Sequence, residues 1–193
     1  MMWLFLLAII PVPLFWIVFR FKVRYMVMGI PAILLAILIE YYYVRILDGG
    51  YTLLIIVFLA PMIEESAKLV FTLWGKEKAG PGVGMMFAVI ENAMYYISYG
   101  YMFWFVFLLR EFQDPILHTT TATLSSRSWK KQIYFYPIAI GMHMFYNLVG
   151  LSNSILYMSL IGIAYFTILF ITLKYEKITE KIRKFKIKKI GNF

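Results

Sequence analysis

The chain has 193 residues, 62% of them hydrophobic and 19% aromatic, with a mean hydropathy of +0.77 and a formal net charge of +9. Such a composition belongs to a polytopic membrane protein and excludes a soluble globule. The lack of cysteine excludes disulfides, thiolate metal ligands and a cysteine nucleophile.

In chain order, the first apolar run is Met2 to Phe19, with Pro11 and Pro13 expected to kink it. No basic residue precedes it and no small-residue cleavage site follows, so it reads as a retained span. Arg20, Lys22 and Arg24 lead into a second run, Tyr25 to about Val44. Glu40 and Arg45 stand near its far end among Tyr41, Tyr42 and Tyr43, where an aromatic belt would sit. Asp48-Gly49-Gly50 is a turn. The third run, Tyr51 to Trp74, contains Pro61-Met62-Ile63-Glu64-Glu65-Ser66-Ala67-Lys68 and ends at a glycine- and lysine-rich turn. A fourth runs from Val83 to Leu109, long for one crossing, and Gly100 is a place for it to break or bend. Arg110, Glu111 and Asp114 mark the next turn, before a short polar fifth segment, Pro115 to about Ser126. Ile133 to Gly150 and Ser154 to Leu173 complete the series.

The expected fold is therefore all-α, a polytopic membrane protein with a bundle of about seven transmembrane helices. Residues 1–173 form a single membrane domain, and 174–193 a basic cytoplasmic tail. In that tail Lys174, Lys177, Lys181, Arg183, Lys184, Lys186, Lys188 and Lys189, set against Glu176 and Glu180, leave +6. A basic tail directly after an apolar span points to anionic lipid as the partner and away from nucleic acid. Ile178, Ile182 and Phe185 would give it one apolar stripe. Turns one, three and five are basic, as is the tail, and only an odd span count puts them all on one side. The positive-inside rule makes that side cytoplasmic and the amino terminus external.

Two carboxylates and an ammonium at membrane depth cost about 3 kcal/mol each on insertion scales, so Glu64, Glu65 and Lys68 need partners or a water-filled cavity. Glu64 and Lys68, spaced i,i+4, can pair on one face, leaving Glu65 to face something else. Counting from the basic turns, Glu64/Glu65, Glu91 with Asn92, His118 and His143 each lie roughly 14–18 Å from the cytoplasmic boundary at 1.5 Å per residue. Four helices thus deliver a carboxylate or an imidazole to one layer. Each has a plainer explanation as interhelical glue, but the coincidence of depth points to a site. His143 and Asn147, at i,i+4, can address one ligand. An aspartyl pair is excluded because neither Asp48 nor Asp114 is expected at depth, and Ser66 has no activated setting. Glutamate and histidine acting on water remain.

The series Glu64-Glu65-x-x-Lys68, Gly84 with Phe87-Ala88-x-x-Glu91-Asn92-x-x-Tyr95, Arg110 with His118, and His143-x-x-x-Asn147 resembles the PrsW family of intramembrane proteases. That family is grouped with the CAAX prenyl proteases and abortive-infection proteins, and the match spans residues 61 to about 147. The resemblance implies hydrolysis of a membrane-anchored peptide or protein in a prokaryotic cytoplasmic membrane, with Glu64, Glu65, Glu91, His118, His143 and Asn147 as candidate catalytic residues. Two mechanisms fit it. In one, His118, His143 and Glu65 hold a zinc, with a second glutamate as base. In the other, Glu65 and His118 activate water without a metal while His143 and Asn147 hold the oxyanion, a role that suits an amide better than zinc ligation does. A proton- or cation-coupled transporter, or a scaffold without chemistry, would carry the same polar layer.

Overall fold

A computed structural model describes residues 8–19, 21–47, 52–99, 104–130, 133–152 and 154–190. Among them are seven helices and no strand. We label them α1 (Pro11–Phe19), α2 (Gly29–Ile46), α3 (residues 52–71), α4 (Gly80–Tyr99), α5 (Trp104–Arg127), α6 (Phe135–Gly150) and α7 (Ile155–Ile190). Two of them, with flanking turns, are long and apolar enough to cross a membrane: Val23–Ile46 and Ile155–Lys174. The Asp48-Gly49-Gly50 turn, Gly100 and the start of the first apolar run lie outside the described residues.

Several boundaries differ from the sequence expectation, each for a local reason. Pro11 and Pro13 do not kink α1; they begin it, where a missing N–H costs nothing. Arg110, Glu111 and Asp114 do not form a turn but lie inside α5, which also accommodates Pro115. The described part of α4 ends at Tyr99 and that of α5 begins at Trp104. The helix α7 does not stop at Leu173: it runs on through the basic segment to Ile190. The side chains of Ile182 and Phe185 lie outside the described residues, so the proposed stripe is visible only at Ile178, which is exposed.

Pro61 shapes α3. The stretch Ile55–Leu59 is a π-helical turn in which the Ala60 N–H bonds the Ile55 carbonyl. The Ile56 carbonyl would then need the N–H of residue 61, and proline has none. The extra residue also resets the rotational phase of everything that follows, including Glu64 and Glu65.

The helix α5 is the hub. It packs against α1, α3, α4, α6 and α7, and its residues Leu117 to Ser126 are all buried although seven of these ten are histidine, threonine or serine. Thr120 and Thr123 return their hydroxyls to the carbonyls one turn back, at 2.6 Å each, which lets polar side chains sit in a dry interior. The contact with α4 is backbone-close. A Cβ on Gly84 would lie 2.1 Å from the His118 carbonyl oxygen, and one on Gly80 2.7 Å from the Ala122 carbonyl. Only glycine permits that approach, the small-xxx-small packing of helices without a hydrophobic drive. The apolar clusters lie around this hub. Ala32, Ile33, Ala36, Ile63, Ala67, Val83 and Phe87 join α2, α3 and α4. Phe15, Met85 and Leu169 join α1, α4 and α7, and Leu117, Tyr146, Ile161 and Tyr165 join α5, α6 and α7. Large apolar side chains such as Leu34, Leu38, Ile163 and Ile171 are more than half exposed. A polar hub inside apolar clusters, under an outer surface rich in apolar side chains, departs from the soluble pattern.

Candidate functional site

The layer counted from the sequence converges. Glu64 and Glu65 from α3, Glu91 from α4, His118 from α5 and His143 from α6 meet around Lys68, whose side chain is fully buried. The Lys68 Nζ lies 2.7 Å from Glu65 Oε1, 2.6 Å from His118 Nδ1 and 3.7 Å from Glu64 Oε2. It also stands 4.3 Å over the Phe87 ring, so the ammonium is neutralised and solvated by protein on every side.

The two glutamates have exchanged the places expected of them. Glu65, not Glu64, is the close partner of Lys68. It further accepts hydrogen bonds from Thr121 Oγ1 at 2.8 Å, His143 Nδ1 at 2.9 Å and, more weakly, Ser125 at 3.4 Å. Nothing of Glu65 reaches the cavity. Glu64 lines it instead, and its Oε2 is buried with no hydrogen-bond donor. Both pairings are open to Lys68 within one regular stretch, Ala60–Phe71, and the neighbouring helices decide between them: Thr121 and His143 meet Glu65, while Glu64 faces the cavity.

The imidazoles are fixed by their neighbours. Lysine has only donors, so His118 Nδ1 accepts from Lys68, and Nε2 carries the proton toward Glu91 Oε2 at 2.6 Å. His143 donates from Nδ1 to Glu65, which leaves the Nε2 lone pair directed at Glu64 Oε2, 3.8 Å away. Around Glu64 Oε2, Lys68 Nζ, His118 Nδ1 and His143 Nε2 therefore stand at 3.7–3.9 Å. That is beyond a direct hydrogen bond and is the spacing at which a bridging water belongs.

A second ionic chain supports the first. Arg110 binds Glu91 at 3.0 Å and Asp114 at 2.6 Å, stacks 3.5 Å from the Tyr95 ring centroid, and so holds the carboxylate that holds His118. Asp114 accepts from Tyr146 at 2.8 Å, and Glu111 accepts from Tyr96. These pairings explain why the charges of the expected fourth turn are tolerated inside a helix. Asp114, expected away from the layer, is buried at its edge. Asn147 is not aimed at an oxyanion. Its Nδ2 donates at 2.9 Å to the Ile56 carbonyl, the group that Pro61 leaves without an amide. One N–H of its amide remains.

The cavity that these residues line encloses about 730 Å³, within the range of roughly 300–1,000 Å³ typical of ligand sites. It extends from Glu64 past Tyr95 and Arg110 toward Val44, Ser98 and Ser154, at the ends of α2 and α4 and the start of α7.

Three donors could hold a cation: ligand atoms of Glu64, His118 and His143 lie within 4.8 Å of one another. The carboxylate in this set is Glu64, whereas Glu65, the expected ligand, is turned to Lys68 and Thr121. The set does not fit zinc as it stands. Both nitrogens of His118 are engaged, and an ammonium sits 2.6 Å from the one that would coordinate. A dication there would face a fixed positive charge.

A scan of family models, a search of curated proteins and a search of solved structures each return no match for this chain.

Proposed function

We propose that the chain is an intramembrane endopeptidase of the kind the PrsW-like motifs imply, a seven-span bundle with its amino terminus outside and its tail in the cytoplasm. The observation that carries this reading is Glu64 Oε2: a buried carboxylate oxygen with no donor, facing a cavity and ringed at 3.7–3.9 Å by Lys68, His118 and His143. A water bridging Glu64 Oε2 and His143 Nε2 would have both hydrogens directed at acceptors and its oxygen lone pair toward the cavity.

In this mechanism Glu64 is the general base. It takes a proton as the water oxygen bonds to the peptide carbonyl carbon, and it returns that proton to the nitrogen when the C–N bond breaks, yielding a carboxylic acid and an amine. His143, oriented by Glu65 through Nδ1, holds the water. His118, clamped between Lys68 and Glu91, keeps the ammonium in place, and that ammonium supplies positive potential under the developing oxyanion. The remaining N–H of Asn147 adds a donor at the cavity wall.

The test is cleavage of a membrane-spanning peptide by the purified full chain in lipid. Turnover that Glu64→Gln and His143→Ala abolish supports the reading. Proton or cation flux in proteoliposomes without cleavage would replace it with a transporter, and neither activity would leave a scaffold.

A further inference from the structure

One carboxylate of the cavity has no place in this mechanism. The face of α2 formed by Ile33, Ala36, Ile37, Glu40 and Val44 lines the cavity at helical spacing, which turns Glu40 inward and away from the aromatic belt its neighbours suggested. Its Oε1 is buried without a hydrogen-bond partner. The charged groups within its electrostatic reach are Glu91, Lys68 and Glu64. Lys68 is held by Glu65 and His118. Arg110, the guanidinium of the cavity wall, is held by Glu91 and Asp114. Among the described residues Glu40 is thus the wall carboxylate with a buried oxygen that neither an ion pair nor a hydrogen bond engages, while Glu64 has no donor and, of the cations, only Lys68 at 3.7 Å. Glu64 is itself nine-tenths buried.

We infer that Glu40 is a recognition site for an ammonium or guanidinium group carried by the membrane peptide, a lysine or arginine side chain. The proposal rests on the protease reading for its geometry. Glu40 lies six residues before the end of α2, and Glu64 twelve residues into α3, which starts beyond the connection 47–51. At 1.5 Å per residue Glu40 is about 9 Å nearer that end of the bundle. An extended peptide covers 9 Å in about three residues. The cation then belongs about three residues from the scissile bond, on the side toward that connection. A half-buried carboxylate whose Oε1 is itself buried and unpartnered rewards such a group, because the pair forms with little competing water.

The experiment is a lysine scan. Acetylated, amidated membrane-spanning peptides, each with one lysine or its uncharged isostere norleucine, are bound to the full chain in nanodiscs and followed by fluorescence anisotropy. Glu64→Gln serves as the non-cleaving host and wild type as its control. The expected result is about tenfold tighter binding of lysine over norleucine at one register only, ~1.4 kcal/mol, and a ratio of one in Glu40→Gln. A ratio of one at every register in both hosts overturns the inference without needing any change at Glu40, and so does a ratio that survives Glu40→Gln. Turnover is read separately. A Glu40-dependent ratio in a protein that cleaves nothing would keep the cation site and remove the protease, whereas cleavage indifferent to lysine would do the reverse.

Discussion

Replacing each glutamate of the adjacent pair by glutamine should produce two different failures. Glu65 receives Lys68, His143 and Thr121 at 2.7–2.9 Å, and Ser125 at 3.4 Å, with its side chain fully buried. Glu65→Gln removes the charge that neutralises Lys68 and leaves the ammonium with Glu64 at 3.7 Å. Breaking a buried pair in this way costs about 3–5 kcal/mol, a large share of the roughly 5–15 kcal/mol that holds a typical domain together. Glu64→Gln loses a charge contact at 3.7 Å, gross ~4 kcal/mol at an effective dielectric of 20. Burying that carboxylate also costs several kcal/mol, so the net change in stability should be within ~1 kcal/mol. Its activity should nevertheless fall by about 10²–10⁴ through loss of the base. Purified variants would be compared by unfolding midpoint and by cleavage of a membrane-spanning peptide. The expected pattern is a stable, inactive Glu64→Gln and an unstable Glu65→Gln. A Glu65→Gln protein as stable as wild type but inactive, beside an active Glu64→Gln, would refute the assignment.

Other outcomes follow from the same geometry. Gly84→Ala should prevent folding or force α4 and α5 apart, since its Cβ would meet the His118 carbonyl at 2.1 Å; a well-folded, active Gly84→Ala in size-exclusion and cleavage assays would contradict that close packing. Asn147→Ala should cost about 0.5–1.5 kcal/mol by removing its hydrogen bond to the exposed Ile56 carbonyl, and Pro61→Ala, which restores an N–H nearby, should recover part of it in a double-mutant cycle; additivity of the two would dissociate them. Chelation should leave turnover unchanged, and loss on chelation with recovery by zinc would show that Lys68 yields His118 to a metal. Cysteines introduced at residues 48 and 78 should label from opposite sides of the membrane, and labelling from one side would sink the seven-span arrangement.

The meeting of the five side chains was legible in the sequence and the rotation of the helices was not. A fixed rise of 1.5 Å per residue, counted from basic turns, brought Glu64, Glu65, Glu91, His118 and His143 to one layer, and they do meet. Which glutamate faces the cavity is decided by Thr121 and His143, which meet Glu65 from other helices. Pro61 alone predicts a stranded carbonyl four residues back; that it is Ile56 which is stranded, and that Asn147 answers it, depends on the π-turn and on a helix from elsewhere in the chain. The charged triplet Arg110, Glu111 and Asp114 read as a turn because its partners, Glu91, Tyr96 and Tyr146, come from other parts of the chain. Glu40 was misplaced for a related reason: three tyrosines beside it suggested an interface, while the face it shares with Ile33, Ala36 and Ile37 points inward.

The polar helix at the centre and the internal cation answer one problem together. Carboxylates repel one another when packed dry, and a mobile counter-ion would have to be recruited each time. Lys68 supplies that counter-ion covalently, one turn from the glutamates it serves, and Glu65 with His118 fixes it in place. Once Glu65 is committed to Lys68, it can also orient His143, and Glu64 is left facing the cavity. The threonines and serines of α5 follow from that commitment, because Thr121 and Ser125 satisfy the Glu65 oxygens that a leucine-lined helix would strand. A helix bearing those residues is too polar for the apolar outer surface of this bundle, and the glycines at 80 and 84 let α4 close over it. The segment least like a membrane span is therefore the one the others enclose.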